Sequence, residues 1–212
     1  YDTPDKNMIQ EFPEFTTAVT YDFASLNQKK RYLEMHAITY RADVLKMNSI
    51  TIDEKMFYVD TEYILFPVPY VSSIVFLPSI VYQYRLGNAD QSVSIKNMQK
   101  NRDMHKRVIM SLLKYYTAHK ESFDAESSKY YLFRVGMMTT AQANIYCLMD
   151  DLKLAKQEMK LFVKEYDDYK KKNHIDRKVD FTVNKRIPFL RLTRFMFFES
   201  ACKYYRKKNG YI

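Results

Sequence analysis

The sequence predicts a mainly helical α+β fold, with a small β-containing segment over residues 1–95 and an all-helical segment over 96–212. Three observations support this prediction. Short extended and helical patterns alternate before residue 95. After Ser94, apolar residues recur at helical spacing over long stretches. The composition, 47% apolar and 28% charged over 212 residues, is that of a globular chain with a sizeable core rather than a disordered or fibrous one.

The individual elements follow from local patterns. The first segment is predicted to hold a helix over 14–26, a strand over 32–40, a helix over 41–47, an extended stretch over 49–58, a helix from Thr61 to Phe66, and one or two strands over 74–85. The second is predicted to hold helices over 104–116, 131–145 and 152–166, a charged linker over 167–180, and a last helix over 187–207 opened by Pro188.

Several classes of site are excluded by what the sequence lacks. Its three glycines, Gly87, Gly136 and Gly210, are too far apart to form a phosphate-binding loop. It has no C-x-x-C, H-x-x-H or G-x-S-x-G motif, so zinc-ribbon, zincin and nucleophile-elbow sites are not predicted. No stretch is long and apolar enough to span a bilayer. The acidic first residues, which lack a Met, are typical of a trimmed or excised chain rather than a signal peptide.

The two cysteines, Cys147 and Cys202, lie among apolar residues in helical patterns. Buried free thiols and a disulfide are both compatible with this placement, and we favour free thiols, which indicate a reducing compartment.

Positive charge is concentrated at the C-terminal end. Residues 1–99 hold 9 Lys/Arg and 12 Asp/Glu, whereas residues 184–212 hold 8 and 1. Aromatic residues are interleaved with these cations, a pattern typical of helices that lie on an anionic membrane. A packed helix whose long cations reach solvent would give the same pattern. The candidate contacts are Arg191, Arg194, Lys203, Arg206, Lys207 and Lys208.

The acidic pair Asp60 and Glu62 follows the extended stretch. A carboxylate exposed there could accept the proton of a bound hydroxyl, as a general base does. Alternatively, Asp60 could be the N-cap of a helix that starts at Thr61. His36, in the strand predicted before this pair, is the histidine closest to it in the predicted order of elements.

Arg85 closes the second β pattern, and Ser92 follows it in a polar loop. A guanidinium at this position could bind a diphosphate through two hydrogen bonds. It could instead pair with a nearby acid such as Asp90, and Ser92 or Ser94 could cap the next helix.

Four stretches between residues 32 and 96, taken together and in order, resemble a known family. They are Tyr40-Arg41 with Val44-Leu45, Ile50-Thr51-Ile52-Asp53-Glu54, Phe57-Tyr58-Val59-Asp60-Thr61-Glu62-Tyr63, and Val81-Tyr82-Gln83-Tyr84-Arg85 with Gln91-Ser92-Val93-Ser94. They are similar to the x-R-x-x-L helix, the gI-x-F-x-E approach, the y-E-D-x-e-f motif and the Y-x-Y-R-x-x-x-x-S-x-S end of family 2 glycosyltransferases, which have the GT-A fold. The resemblance covers the C-terminal half of that catalytic domain.

The resemblance implies transfer of a sugar from a nucleotide-sugar to a glycan or lipid-linked acceptor hydroxyl, with Mg²⁺ or Mn²⁺, in surface polysaccharide or glycoconjugate synthesis. It implies that Asp60 is the general base and that Arg85 and Ser92 border the donor diphosphate. The family's Glu before that Asp is Val59 here, and Glu62 is the residue that could partly replace it. The expected location is cytoplasmic, extending to the inner face of the membrane, and nucleic acid is not an expected partner.

The family's nucleotide-binding half and its D-x-D metal motif have no counterpart in this sequence. We therefore expect a portion of a longer enzyme, or a degenerate relative, that is inactive and binds no metal by itself. The alternative is a non-catalytic helical module that docks on an anionic membrane or polymer.

Overall fold

A computed structural model describes residues 12–79, 82, 94–176 and 185–211 of the chain. Its architecture is mainly helical with a small antiparallel sheet, which confirms the predicted class. The elements are β1 Thr20–Asp22, α1 Ala24–Gln28, α2 Ala42–Met47, α3 Asp60–Leu65, β2 Ser73–Val75, α4 Ile95–Lys100, α5 Arg102–Ala118, α6 Ala125–Leu148, α7 Leu152–Lys172, α8 Arg186–Leu192 and α9 Phe198–Lys208. Single 3-10 turns lie at Met35–Ala37, Val68–Tyr70 and Lys120–Ser122.

Helices α4, α6 and α7 begin where side chains satisfy their first backbone N–H groups. Asp124 and Ser127 form a reciprocal capping box at the start of α6. Asp151 accepts from the N–H groups of Lys153 and Leu154 at the start of α7. Ser94 caps α4, so of the two serines considered from sequence, Ser94 is the cap.

Helix α6 is the centre of the molecule. It contacts α1, α4, α5, α7 and α9, and buried residues therefore lie on nearly every side of it. The buried apolar side chains of both segments form one core cluster. For example, the Phe23 ring lies edge-on to the Tyr130 ring of α6, with centroids 5.1 Å apart. The predicted boundary between the two segments, near residue 95, coincides with the start of α4. Side chains from both sides of this boundary nevertheless belong to one core.

The prediction of a strand over 32–40 is wrong. This stretch lies against α6, where Tyr32 stacks on Phe133 with centroids 4.5 Å apart. The Leu33 N–H donates to the Tyr130 hydroxyl at 3.3 Å. Over this range the chain therefore packs on the surface of α6 instead of pairing with another strand. Residues Met35–Ala37 form a 3-10 turn.

The predicted helix over 14–26 is also wrong. Ala18 has a φ of 60°, which a helix cannot include, and residues Thr20–Asp22 pair with Ser73–Val75 as β1 and β2. Phe15 keeps the buried position that its spacing suggested, but it is stacked on Phe76, 4.2 Å between centroids. Of the strands predicted over 74–85, the structure has Ser73–Val75 as β2, residues 76–79 and 82 are not in a strand, and residues 80, 81 and 83–85 lie outside the described residues.

Two predicted boundaries at the C-terminal end need correction. The charged linker over 167–180 is helical as far as Lys172, because Tyr166 and Lys170 are buried on the face of α7 that continues the core. The last helix is two helices, because Arg194 and Phe195 have φ values of 48° and 62° and interrupt it.

Candidate functional site

Asp60 is the first residue of α3, and it is exposed. The residue at the N-cap position is Val59, and no side chain caps this helix, so the interpretation of Asp60 as N-cap is not observed. Surrounding protein atoms remove part of the hydration of the Asp60 carboxyl and raise its pKa. Glu34 raises the pKa further, whereas nearby backbone N–H groups and Arg134 lower it.

The loop before Asp60 is anchored to α5. Tyr58 has a φ of 71°, a strained conformation for a residue with a side chain. Its ring lies edge-on to the His105 ring of α5, with centroids 5.0 Å apart. On the same loop, Asp53 lies 3.8 Å from the Arg107 guanidinium of α5. These contacts fix the backbone of the loop that precedes Asp60, and Asp60 itself lies at the surface.

Glu62 has a different environment from Asp60. It is fully buried, and its Oε2 accepts a hydrogen bond of 2.8 Å from the Asp53 N–H. Burial raises the pKa of this carboxyl. Glu62 therefore stabilises the loop from inside the core. The resemblance suggested that its carboxylate could contact an acceptor, but the buried carboxylate is not accessible to one.

Glu34 and Arg134 are the site residues that sequence reasoning missed. Arg134 projects from α6 with 7% of its side chain exposed, and its Nη1 lies 3.1 Å from Glu34 Oε1. Both charges also influence the pKa of the Asp60 carboxyl, although burial has the larger effect. The sequence does contain a sign of this pair. Tyr130 and Arg134 are four residues apart and share a helical face, and a cation on a buried face needs an acidic partner.

His36 lies in the 3-10 turn that contacts α3. Its ring stacks on that of Tyr82, with centroids 5.3 Å apart. The structure therefore places His36 in a 3-10 turn that contacts α3, where the sequence predicted a strand. Arg85 and Ser92 lie outside the described residues, and their predicted roles at a diphosphate stay predictions.

The basic residues near the C-terminus divide into two groups. Arg191 pairs with Asp167 of α7 at 2.5 Å, and Arg206 donates to the carbonyl oxygens of Cys147 and Met149. These two cations hold α8 and α9 against the core. The other four candidates, Arg194, Lys203, Lys207 and Lys208, are exposed.

The two cysteines meet where α6 and α9 are in contact. Both are fully buried and free, with Cys202 Sγ 2.9 Å from Cys147 Sγ, which confirms the prediction of buried free thiols. The hydrogen bond from Cys202 lowers the pKa of the Cys147 thiol, and the Arg186 and Arg206 guanidinium groups lower it further.

Among the described residues, no three His, Cys, Asp or Glu side chains form a group that could hold a metal ion. Within the same residues, no helix has the length and apolar character needed to cross a bilayer. Comparison of the chain with protein-family models, curated proteins and solved structures found no match.

Proposed function

We propose that this chain is the acceptor-side portion of a glycosyltransferase that uses a nucleotide-sugar donor, with Asp60 as the general base. One observation carries the proposal: Asp60 is exposed on a braced loop while its neighbours raise its pKa. A base with a raised pKa accepts a proton more readily than an ordinary carboxylate does. The motif resemblance over residues 32–96 supplies the reaction class.

In this reaction the acceptor O–H bond breaks, and its proton goes to a carboxylate oxygen of Asp60. The acceptor oxygen forms a bond to the anomeric carbon of the sugar, and the nucleoside diphosphate departs with the electron pair of the broken C–O bond. A divalent metal held by another part of the enzyme would neutralise that diphosphate. This chain supplies the base, and Glu34 replaces the inaccessible Glu62 as the second acidic group near the acceptor.

The test uses the complete enzyme, meaning the product of the whole gene that encodes this chain, with a panel of nucleotide-sugars and acceptors. Asp60→Asn should reduce transfer by about 10²–10⁴-fold, the usual contribution of a general base, and leave the fold unchanged by circular dichroism. The matched control is Asp150→Asn, an exposed aspartate between α6 and α7, which should keep full activity. Near-normal transfer by Asp60→Asn would contradict the proposal.

A second candidate is a non-catalytic helical module that binds an anionic surface. The exposed cations near the C-terminus favour it. The gene itself discriminates between the two: a D-x-D motif after an alternating α/β stretch upstream of Tyr1 favours the enzyme, whereas a start codon immediately before Tyr1 favours the module.

A further inference from the structure

We propose that the end of the molecule formed by α8, α9 and the turn between them docks on an anionic lipid bilayer and inserts apolar side chains into it. This end is called the docking end below. Its apolar members are Phe189, Leu192, Met196, Phe197 and Tyr204, and its cationic members are Arg194, Lys203, Lys207 and Lys208.

The apolar members are unusually exposed. Leu192 is 84% and Met196 72% exposed, and they stand on either side of the left-handed pair Arg194 and Phe195. The rings of Phe189 and Phe197 lie 6.3 Å apart and connect α8 to α9 beside them. Single exposed apolar residues are ordinary, but several on one turn form a patch of the kind that marks an interaction surface.

The core explains why these side chains remain outside. Ile187 and Leu190 of α8 and Phe198 and Cys202 of α9 are the buried side chains of these helices. At 100° per residue, Phe197, Tyr204 and Lys208 fall within a narrow arc on the side of α9 opposite Cys202. The helices are therefore amphipathic with respect to the core, and their outer faces carry a second apolar surface of their own.

The cations favour a bilayer as the occupant. Among the described residues, Arg194, Lys203, Lys207 and Lys208 form no ion pair with an acid. Residues 184–212 hold 8 Lys/Arg and 1 Asp/Glu, so two copies of this end would repel one another. A soluble anionic polymer would satisfy the cations but would leave Leu192 and Met196 in water. An anionic bilayer satisfies both, because its headgroups attract the cations and its acyl boundary takes up the apolar side chains.

The first experiment measures co-sedimentation of the chain with vesicles at low salt. We expect binding to vesicles of phosphatidylcholine with one third phosphatidylglycerol, no binding to phosphatidylcholine alone, and release by added salt. A variant with Gln at Arg194, Lys203, Lys207 and Lys208 should bind on the order of a thousandfold more weakly. The matched control places Gln at Lys29, Lys46, Lys120 and Lys129, exposed cations on other elements, and removes the same charge. Equal losses in both variants would reduce the effect to net charge and overturn the proposal.

The second experiment detects insertion and exploits the absence of Trp from the chain. Leu192→Trp places a single reporter at the docking end, and Met47→Trp places one at an 82% exposed position on α2. With the anionic vesicles, the fluorescence of Leu192→Trp should shift to the blue and be quenched by brominated phosphatidylcholine, whereas that of Met47→Trp should not change. Both variants are at exposed positions, so folding is not at risk.

Three results would overturn the proposal. They are the absence of co-sedimentation at low salt, co-sedimentation without a blue shift of Leu192→Trp, and a blue shift that appears without vesicles as the protein concentration rises. The last would identify a second copy as the occupant, and analytical ultracentrifugation would then show a dimer. None of these results depends on transfer activity, so this proposal and the proposed function fail separately.

Discussion

Glu34 influences the candidate base from outside the acidic motif. Its charge raises the pKa of Asp60, and it also occupies Arg134, whose charge lowers that pKa. Glu34→Gln should therefore lower the pKa of Asp60 through both effects. In the complete enzyme, the acid limb of the pH–rate profile should move to lower pH, because a general base works only when ionised. The titration of the Asp60 carboxyl carbon by NMR measures the same shift on this chain alone.

The control for this prediction is Asp22→Asn, which removes an exposed carboxylate from β1. It should leave the Asp60 titration unchanged. An unchanged Asp60 titration in Glu34→Gln would show that the Glu34 charge does not act on Asp60.

His105 makes stability depend on pH. Its Nδ1 lies 2.7 Å from Gln142 Oε1, and burial lowers its pKa to about 4. The pKa of an unfolded-state histidine is about 6.5, so between pH 4 and 6.5 the unfolded chain binds a proton that the folded chain does not. The free energy of unfolding should therefore rise with pH through this window, by at most about 3 kcal/mol from this group.

The measurement is urea unfolding at pH 4.5 and pH 7 for the wild type and His105→Gln. The variant should show the smaller increase between the two pH values, whatever its absolute stability. Asp60 and Glu62 have raised pKa values and so act in the opposite direction, but they are present in both proteins. Identical pH dependence in the two proteins would contradict the assignment to His105.

At the scale of elements, the contact between α6 and α9 predicts how the thiols react. Cys147 and Cys202 are fully buried, so in the native protein neither should react with Ellman's reagent, despite the lowered pKa of Cys147. Both should react at once in urea. An Arg206→Ala variant, which removes the hydrogen bonds to the Cys147 and Met149 carbonyl oxygens, should loosen α9 and accelerate the native reaction. Rapid reaction of the wild-type thiols would contradict the close packing of this contact.

The elements also show what sequence can and cannot predict. The three long helices were predicted because their own apolar spacing decides their structure. The strand over 32–40 was wrongly predicted because its side chains bind a helix about a hundred residues later, as the Glu34–Arg134 pair shows. The break at Arg194 and Phe195 was missed because neither is a residue type that signals a left-handed turn.

In the candidate site, too, some features follow from local sequence and others depend on tertiary contacts. The local motif predicts Asp60 as a candidate base, whereas the burial of Glu62 and the effect of Glu34 on the pKa of Asp60 depend on tertiary packing. A motif gives the residues that adjoin in the chain, but it does not say which of two acidic neighbours faces solvent.

At the scale of the whole molecule, the shared core predicts one unfolding transition. Side chains from both predicted segments belong to the same cluster, so neither segment should unfold while the other persists. Far-UV circular dichroism and tyrosine fluorescence should give coincident urea transitions. Phe23→Ala removes a buried ring that contacts Tyr130 of α6, and it should lower the free energy of unfolding by about 3 kcal/mol in both signals. Two separate transitions, or a loss confined to one signal, would show that the segments are independent.

Helix α6 extends from the region of the candidate base to the contact with α9. Arg134 pairs with Glu34, and both charges influence the pKa of Asp60, whereas Cys147 contacts Cys202 of α9 thirteen positions further along the same helix. At 1.5 Å per residue these positions are about 20 Å apart along its axis. A rigid helix at the centre of a single core cannot change this length. If α9 meets lipid and Asp60 meets the acceptor, as we propose, α6 therefore fixes the spacing of these two regions along its axis. On both proposals together, an acceptor anchored in that bilayer would meet Asp60 at a spacing that this helix holds constant.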